Sequence, residues 1–285
     1  MFGALSIILP SKNEKKGLGV VLPDLISRYP GAQIIVVDDG SSDQTLPLCE
    51  ALGVQVVRHA YSKGNGAAIK SGTRAANRSI LVFMDADGQH ASADIPRLLE
   101  KLDEGYEMVV GARGKGSQAS LGRGFANRFY NWLASFVTGH RIEDLTSGFR
   151  AVRAEHFREF LYLLPNGFSY PTTCTMAFFR AGYSVAYVPI HADKRIGKSH
   201  LKPLKDGVRF LLIIFKICTL YSPLKLFSPV AMLFFLLGST WYLYTYITTG
   251  RFTNMSALLY TGAVLTFLLG LISEQITALM YKDNK

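Results

Sequence analysis

Two short acidic segments carry the clearest chemistry in this chain. One is Phe83-Met84-Asp85-Ala86-Asp87-Gly88-Gln89-His90, where two carboxylates stand two residues apart just after an apolar run. In extended backbone, residues i and i+2 project to the same side. Asp85 and Asp87 can therefore reach one hard divalent cation, with the Gln89 carbonyl as a further oxygen and open positions for phosphate oxygens and water. Such a cation neutralises a diphosphate leaving group as its charge develops. The other segment is Val36-Val37-Asp38-Asp39-Gly40-Ser41-Ser42-Asp43, also at the end of an apolar run. Its carboxylates can accept from ribose hydroxyls or nucleobase N–H groups, or they can simply cap the Asp-Gly turn in which they stand. An Asp-x-Asp pair alone occurs widely by chance; placed after a matching Asp-Asp-Gly-Ser, it is far more specific.

These clusters need elements to hold them. Ala4–Leu9, Gln33–Val37, Val54–Arg58, Ser79–Met84 and Glu107–Val110 are brief, apolar and branched, as buried parallel strands are. Lys15–Ser27, Asp43–Ala51, Gly66–Asn77 and Ser92–Leu102 read as helices between them. Ser92 is the expected N-cap of the last, with Ile95, Leu98, Leu99 and Leu102 on one face. Repeated β-α units imply a doubly wound sheet that binds ligands at the carboxyl ends of its strands, where both acidic segments fall. Farther on, Leu121–Val137 and Thr172–Ala181 read as helices, and Gly148–Val152 and Ser184–Pro189 as strands.

With 285 residues, the chain has room for one sizeable α/β domain and an appendage. Its net charge of +10 comes with no Arg-rich arm or nucleic-acid motif, so membrane surface and phosphates are the expected partners and nucleic acid is not. Cys49, Cys174 and Cys218 are far apart, lack metal-ligand spacing and read as reduced residues of a cytosol-facing protein. Ala4–Leu9 is too short for a signal-peptide core, so the large N-terminal domain is expected not to be exported. From Lys194 to Lys225 the chain is basic and partly amphipathic, fitting a helix in the membrane interface or a solvated helix on the catalytic domain. Leu226–Ile247 and Met255–Ile272 each approach the ~20 residues that cross a bilayer, with Trp241, Tyr242, Tyr244 and Tyr246 as an aromatic belt; a buried soluble helix pair is the alternative. The loop between them carries only Arg251, which places the large domain and the C-terminus in the cytoplasm by charge bias. Glu274 is expected to snorkel or pair at the inner end of the second run.

Pro10-Ser11-Lys12-Asn13-Glu14, Asp38-Asp39-Gly40-Ser41-Ser42-Asp43, Lys63-Gly64-Asn65-Gly66 and Asp85-Ala86-Asp87-Gly88-Gln89-His90 stand in the order and spacing of family 2 glycosyltransferases. The resemblance continues through Gly111-Ala112-Arg113, Asp144-Leu145-Thr146-Ser147-Gly148-Phe149-Arg150 and Arg195-Ile196-Gly197-Lys198-Ser199. Together with a two-helix C-terminal hairpin, it resembles the polyprenyl-phosphate branch, which includes dolichyl-phosphate mannose synthases and undecaprenyl-phosphate glucosyltransferases. The resemblance implies an inverting, Mg²⁺- or Mn²⁺-dependent enzyme with the GT-A nucleotide-diphospho-sugar transferase fold, which is α/β and Rossmann-like. It also implies a nucleotide-diphospho-sugar donor and a polyprenyl phosphate acceptor. The expected layout is a catalytic domain over 1–203, a juxtamembrane amphipathic segment over 204–225 and a transmembrane hairpin over 226–281, which offers a surface for homo-oligomers.

Carried over by residue, Pro10, Asn13, Glu14, Asp38, Asp39, Lys63, Gly66, Asp85 and Ala86 would line the nucleotide-sugar. Asp85, Asp87 and Gln89 would hold the metal, and Arg113, Arg123, Ser147, Arg195 and Lys198 would receive the acceptor phosphate. Asp87, Asp144 and Arg195 are the candidate catalytic groups. The chain departs from the family at Ser11-Lys12 and Asn127, and Phe168–Cys174 lacks the glutamate many relatives carry. A sugar hydroxyl needs a general base, whereas a lipid phosphate is already anionic and needs orientation and charge compensation. Asp144 is the remaining carboxylate, as a base or a positioning group. Rival readings are transfer to a lipid hydroxyl or glycan, which requires a working base, and a silent membrane-bound sugar-nucleotide binder, which needs no open metal site. No Gln-x-x-Arg-Trp motif of processive synthases is present.

Overall fold

The structure is a computed structural model and describes residues 2–114, 121–167, 169–191, 215, 219 and 221–280. Seven strands form one sheet: β1 (Leu5–Ser11), β2 (Gln33–Asp38), β3 (Gln55–Arg58), β4 (Ile80–Phe83), β5 (Met108–Arg113), β6 (Arg150–Arg153) and β7 (Val185–Ile190). Their spatial order is β3-β2-β1-β4-β6-β5-β7. All pairings are parallel except those of β6, which runs against β4 and β5. The order turns back between β1 and β4, and that switch point opens a crevice at the carboxyl ends of the strands. Because β6 is reversed, its first residue, Arg150, pairs with Phe83 at the end of β4. The turn before β6 is thereby brought to the ligand-binding edge.

Side chains alternate across the sheet. Leu5, Ile7 and Leu9 join Leu18, Leu22 and Leu25 of α1 (Lys15–Arg28) and Leu98 and Leu102 of α4 (Ile95–Asp103) in one core. Ile8 faces the other way, where Gly72 of α3 (Asn65–Ala75) packs so closely that a Cβ would meet Ile8 Cγ2 at 2.5 Å. The remaining helices of this part are α2 (Thr45–Ala51), α5 (Leu121–Thr138), α6 (Ala154–Glu159) and α7 (Tyr170–Ala181). Two local expectations need correction. Ser92 does not cap α4: it opens a 3-10 turn over Ser92–Asp94 and its hydroxyl donates to Asp24 instead. Asp43 stands before α2, accepting from Thr45 N at 3.0 Å. The short α6 has no counterpart in the sequence pattern, since six residues show too little periodicity to separate from a loop. Cys49 and Cys174 are buried free thiols.

The chain divides into two compact units, Met1–Ser135 with His140–Val208 and Phe136–Gly139 with Arg209–Lys285. The second contains α8 (Pro223–Thr249) and α9 (Asn254–Met280), both long and apolar enough to cross a membrane. Apart from Pro223 at the start of α8, their buried positions are Ala231, Gly238 and Thr245 on α8 and Ser256, Ala263, Gly270 and Thr277 on α9, spaced by seven residues on each helix. The two helices touch along this small-residue seam: a Cβ on Gly270 would meet Phe227 Cβ at 2.7 Å. Large apolar side chains such as Leu233, Leu236, Leu265 and Leu269 point outward. Glu274 accepts from Ser222 Oγ and from Leu224 N, both at 3.3 Å, and so caps the start of α8 from the neighbouring helix. Most of the 204–225 segment lies outside the described residues.

Candidate active site

Asp39 comes directly after β2, its N–H bonded to Ser11 O at 2.9 Å, and is buried. Both of its oxygens are already occupied. Oδ1 accepts from His59 Nδ1 and Lys63 N, each at 2.7 Å; Oδ2 accepts from Ser62 Oγ at 2.7 Å and Gly64 N at 2.9 Å. Burial opposes ionisation, but bonds from His59, Lys63, Ser62 and Gly64 outweigh it and hold the carboxyl at about 2. His59 Nε2 lies 2.9 Å from Ser71 Oγ on α3, which fixes the ring at its far side. Asp39 thus organises the loop over 61–64. Asp38 accepts from Ser41 N at 2.9 Å, closing the turn. Asn13, at φ 56°, accepts from Ser42 N at 2.8 Å, and its own N–H donates to Ser41 Oγ at 2.9 Å, so it latches two edge loops together. Pro10 and Glu14 are half-buried beside it.

Lys63 is exposed, its Nζ lying 5.7 Å from the Tyr61 ring. Gly66 is buried at the start of α3, where its N–H donates to Gly167 O at 3.1 Å and that of Ala67 to Asn166 O at 2.8 Å. A Cβ on Gly66 would lie 1.9 Å from Pro165 O. These first amides of α3 are therefore satisfied by the 165–167 segment, and Gly66 is needed for that close approach.

Asp85 presents the opposite environment. Its side chain is 36% exposed, and His90 Nδ1, which accepts from the Asp85 N–H at 3.4 Å, lies 3.9 Å from Oδ2. His90 is fixed by stacking on Phe149, with ring centroids 5.0 Å apart. Ala86 is buried, and its carbonyl sits where a Cβ on Gly17 of α1 would lie 2.1 Å away. Gly17 thereby seats this loop on α1. Asp87 is buried, with Oδ1 accepting from Gln89 N at 3.2 Å. Gly148, opposite, leaves room for Asp85: a Cβ there would meet the carboxylate oxygens at 3.1 and 3.2 Å. Among the described residues no group of three or more His, Cys, Asp or Glu side chains gathers as a metal cage. Two carboxylates with an amide oxygen nearby fit instead a cation that takes its other ligands from substrate phosphates and water.

Across the crevice, Arg113 ends β5 and forks onto Asp144, with Nε–Oδ2 at 2.7 Å and Nη2–Oδ1 at 3.0 Å. Nη2 also donates to Thr146 Oγ at 2.7 Å. Asp144 Oδ1 further accepts from Thr146 N and Ser147 N, both at 3.1 Å. Burial raises the Asp144 pKa, but Arg113 and the Thr146 amide prevail and lower it from the ordinary carboxylate value. A carboxylate whose oxygens are already engaged in this way is poorly suited to take a proton. The geometry therefore favours orientation of Arg113 over action as a base. Ser147 is buried, and its Oγ has no hydrogen-bond partner among the described residues. Of the other expected phosphate ligands, Arg123 lies on α5 at a position whose side chain is not described; Arg195 and Lys198 lie outside the described residues.

Sequence reasoning missed His59, Ser62, Gly17, Gly148 and Tyr170, whose hydroxyl donates to Gly148 O at 3.1 Å. Gly17, a glycine inside an expected helix, and Gly148, a glycine of the Asp144–Arg150 motif with no assigned role, were the available signals.

Residues 6–161 match the Glycosyl transferase family 2 model and residues 222–279 the GtrB C-terminal hairpin. The chain is 30% identical over 220 residues to a dolichyl-phosphate hexose transferase of Haloferax volcanii, covering 76% of this chain and 95% of that one. It is 31% identical over 211 residues to a polyprenol monophosphomannose synthase of Mycolicibacterium smegmatis, covering 68% and 80%. The glucosyl-3-phosphoglycerate synthase of Mycobacterium tuberculosis, solved with Mn²⁺, UDP and glucosyl-3-phosphoglycerate, superimposes with a TM-score of 0.59 at 21% identity, covering 75% and 80%, and shares the fold. With its GT-A sheet and its acidic loop at the switch point, the chain is a family 2 glycosyltransferase carrying a GtrB-type C-terminal hairpin.

Proposed function

We propose that the protein transfers a sugar, with inversion, from a nucleotide-diphospho-sugar to a membrane polyprenyl phosphate. A phosphate oxygen of the lipid attacks the anomeric carbon and forms the new C–O bond. The bond from that carbon to the diphosphate breaks, and the nucleoside diphosphate leaves with the electron pair. Asp85 and Asp87, with Gln89, would hold Mg²⁺ or Mn²⁺. Bound there, the ion would offset charge developing on the leaving diphosphate.

The observation that carries this reading is the state of Asp144. Its carboxylate is engaged by Arg113, Thr146 and Ser147. An acceptor that arrives ionised needs no proton removed; it needs a cation and a hydroxyl to orient it. Arg113, held by Asp144, and the unpaired Ser147 Oγ supply both. The Haloferax and Mycolicibacterium relatives are named for transfer to or synthesis of such lipid phosphates, which supports the same acceptor class. Two helices long and apolar enough to cross a bilayer support an anchor in the membrane where this acceptor resides. Charge bias supports a cytoplasmic catalytic domain and C-terminus, with boundaries near 203 and 225.

The test is incubation of the full chain in membranes with polyprenyl phosphate, Mn²⁺ and radiolabelled nucleotide sugars. Label should enter the organic phase as an alkali-stable, mild-acid-labile product. Transfer only to polyprenol or glycan hydroxyls would overturn the proposal. Asp144→Asn should cut turnover by roughly 10- to 100-fold through loss of Arg113 alignment. It should leave the shape of the pH–rate profile unchanged; loss of a titrating limb would instead identify a base.

A further inference from the structure

Among the described residues Arg150 heads the fully buried side chains by size, and no carboxylate forms an ion pair with it. A buried guanidinium without a counter-ion is costly, and an apolar side chain of similar volume would fill the space more cheaply. Rules broken in this way at the edge of a site point to function. The contacts of Arg150 say which one. Nη1 donates to Pro171 O at 3.1 Å and Thr175 Oγ at 3.2 Å, and the guanidinium lies 5.8 Å from the centre of the Tyr170 ring. Nη2 donates to Ser147 O. Tyr170, itself buried, donates to the next carbonyl, Gly148 O, at 3.1 Å.

The turn between Asp144 and Gly148 is therefore held from two sides. Asp144 binds its amides at Thr146 and Ser147; Arg150 and Tyr170 bind its carbonyls at Ser147 and Gly148. One side of this turn carries Arg113, and Gly148 abuts the Asp85 carboxylate. We infer that Arg150 and Tyr170 are positioning residues that fix the Asp144–Gly148 turn against Asp85. Resting on the proposed transfer to a lipid phosphate, this sets the spacing between the leaving-group half and the acceptor half of the site. Both act through the turn, from beneath it.

The test uses the full-length protein in lipid nanodiscs, comparing Tyr170→Phe, which deletes one hydroxyl, with Arg150→Lys, which keeps the charge but loses the fork. Three quantities are read: amide exchange of segment 144–148, Mn²⁺ affinity measured with the metal alone, and kcat with KM for each substrate. In Tyr170→Phe, exchange of the Thr146 and Ser147 amides should rise about 5- to 10-fold, with kcat falling by a similar factor, as for one lost hydrogen bond. Mn²⁺ affinity and donor KM should stay within about 2-fold of the original protein, since no proposed donor ligand is removed. Arg150→Lys should lower kcat by up to ~100-fold, the scale of a misplaced reacting group. Unchanged exchange of segment 144–148 in Tyr170→Phe overturns the inference, as does a kcat loss matched by lost folded fraction. If Arg150→Lys does not fold, Tyr170→Phe decides alone. If the original protein shows no transfer to polyprenyl phosphate, the reaction proposal fails while the exchange data still decide the positioning role.

Discussion

Asp39 and Asp85 look alike in sequence, each coming after an apolar strand and each next to or near a second aspartate, yet their surroundings are opposite. Asp39 is enclosed, with four protein donors on its two oxygens. Asp85 is partly open, with the His90 ring nitrogen Nδ1 3.9 Å from its carboxylate. A carboxylate already satisfied by its own chain contributes stability and order, whereas one left unsatisfied beside a crevice is available to a ligand. Asp39 is therefore tied into the frame of its loops, whereas Asp85, unlike its buried neighbour Asp87, keeps an oxygen surface open to the crevice.

That contrast can be broken most directly at Asp85. Asp85→Ala should reduce sugar transfer about 1000-fold or more, while unfolding free energy moves by less than ~0.5 kcal/mol, because among the described residues no hydrogen bond is made to the carboxylate. A variant that keeps its turnover, measured as lipid-extractable label, would erase the distinction. Asp39→Asn should do the reverse at the level of stability. Its folded pKa is depressed from 3.8 to about 2, so its contribution of about 2 kcal/mol is present above pH ~4 and lost as pH falls through ~2. Melting of Asp39→Asn against the original protein should show a gap that closes between pH 4 and pH 2; a gap independent of pH would remove the carboxylate from the account. The smallest effect is expected at Gly148→Ala, whose Cβ would press on Asp85 at 3.1 Å. Mn²⁺ affinity, measured by electron paramagnetic resonance, should weaken by less than the ~10-fold that losing an orienting partner costs. Unaltered affinity would mean that Asp85 is not confined by this neighbour.

The strands and the location of both acidic loops were legible because they depend on local apolar runs and on the residues that end them. The division between satisfied and open carboxylates was not. The donors that fill Asp39 come from His59 and residues 62–64, and Arg113 reaches Asp144 from 31 residues away. Gly66 reads as a donor-binding glycine in sequence, but its steric requirement comes from Pro165, nearly a hundred residues later. The reversal of β6, which brings Gly148 to Asp85, is likewise a matter of pairing partners that no local period encodes.

The seam between α8 and α9 carries one more consequence. Small residues recur every seven positions on both helices, so sliding one helix by a heptad would bury an almost equivalent set. Packing alone thus specifies the contact face better than the alignment along it. The short Gly250–Thr253 connection ties one end, and Glu274 on Ser222 and Leu224 ties the other. In an apolar surrounding, a shifted hairpin would leave that carboxylate and the Leu224 amide unmatched. The acid is the registration pin of an otherwise sliding joint.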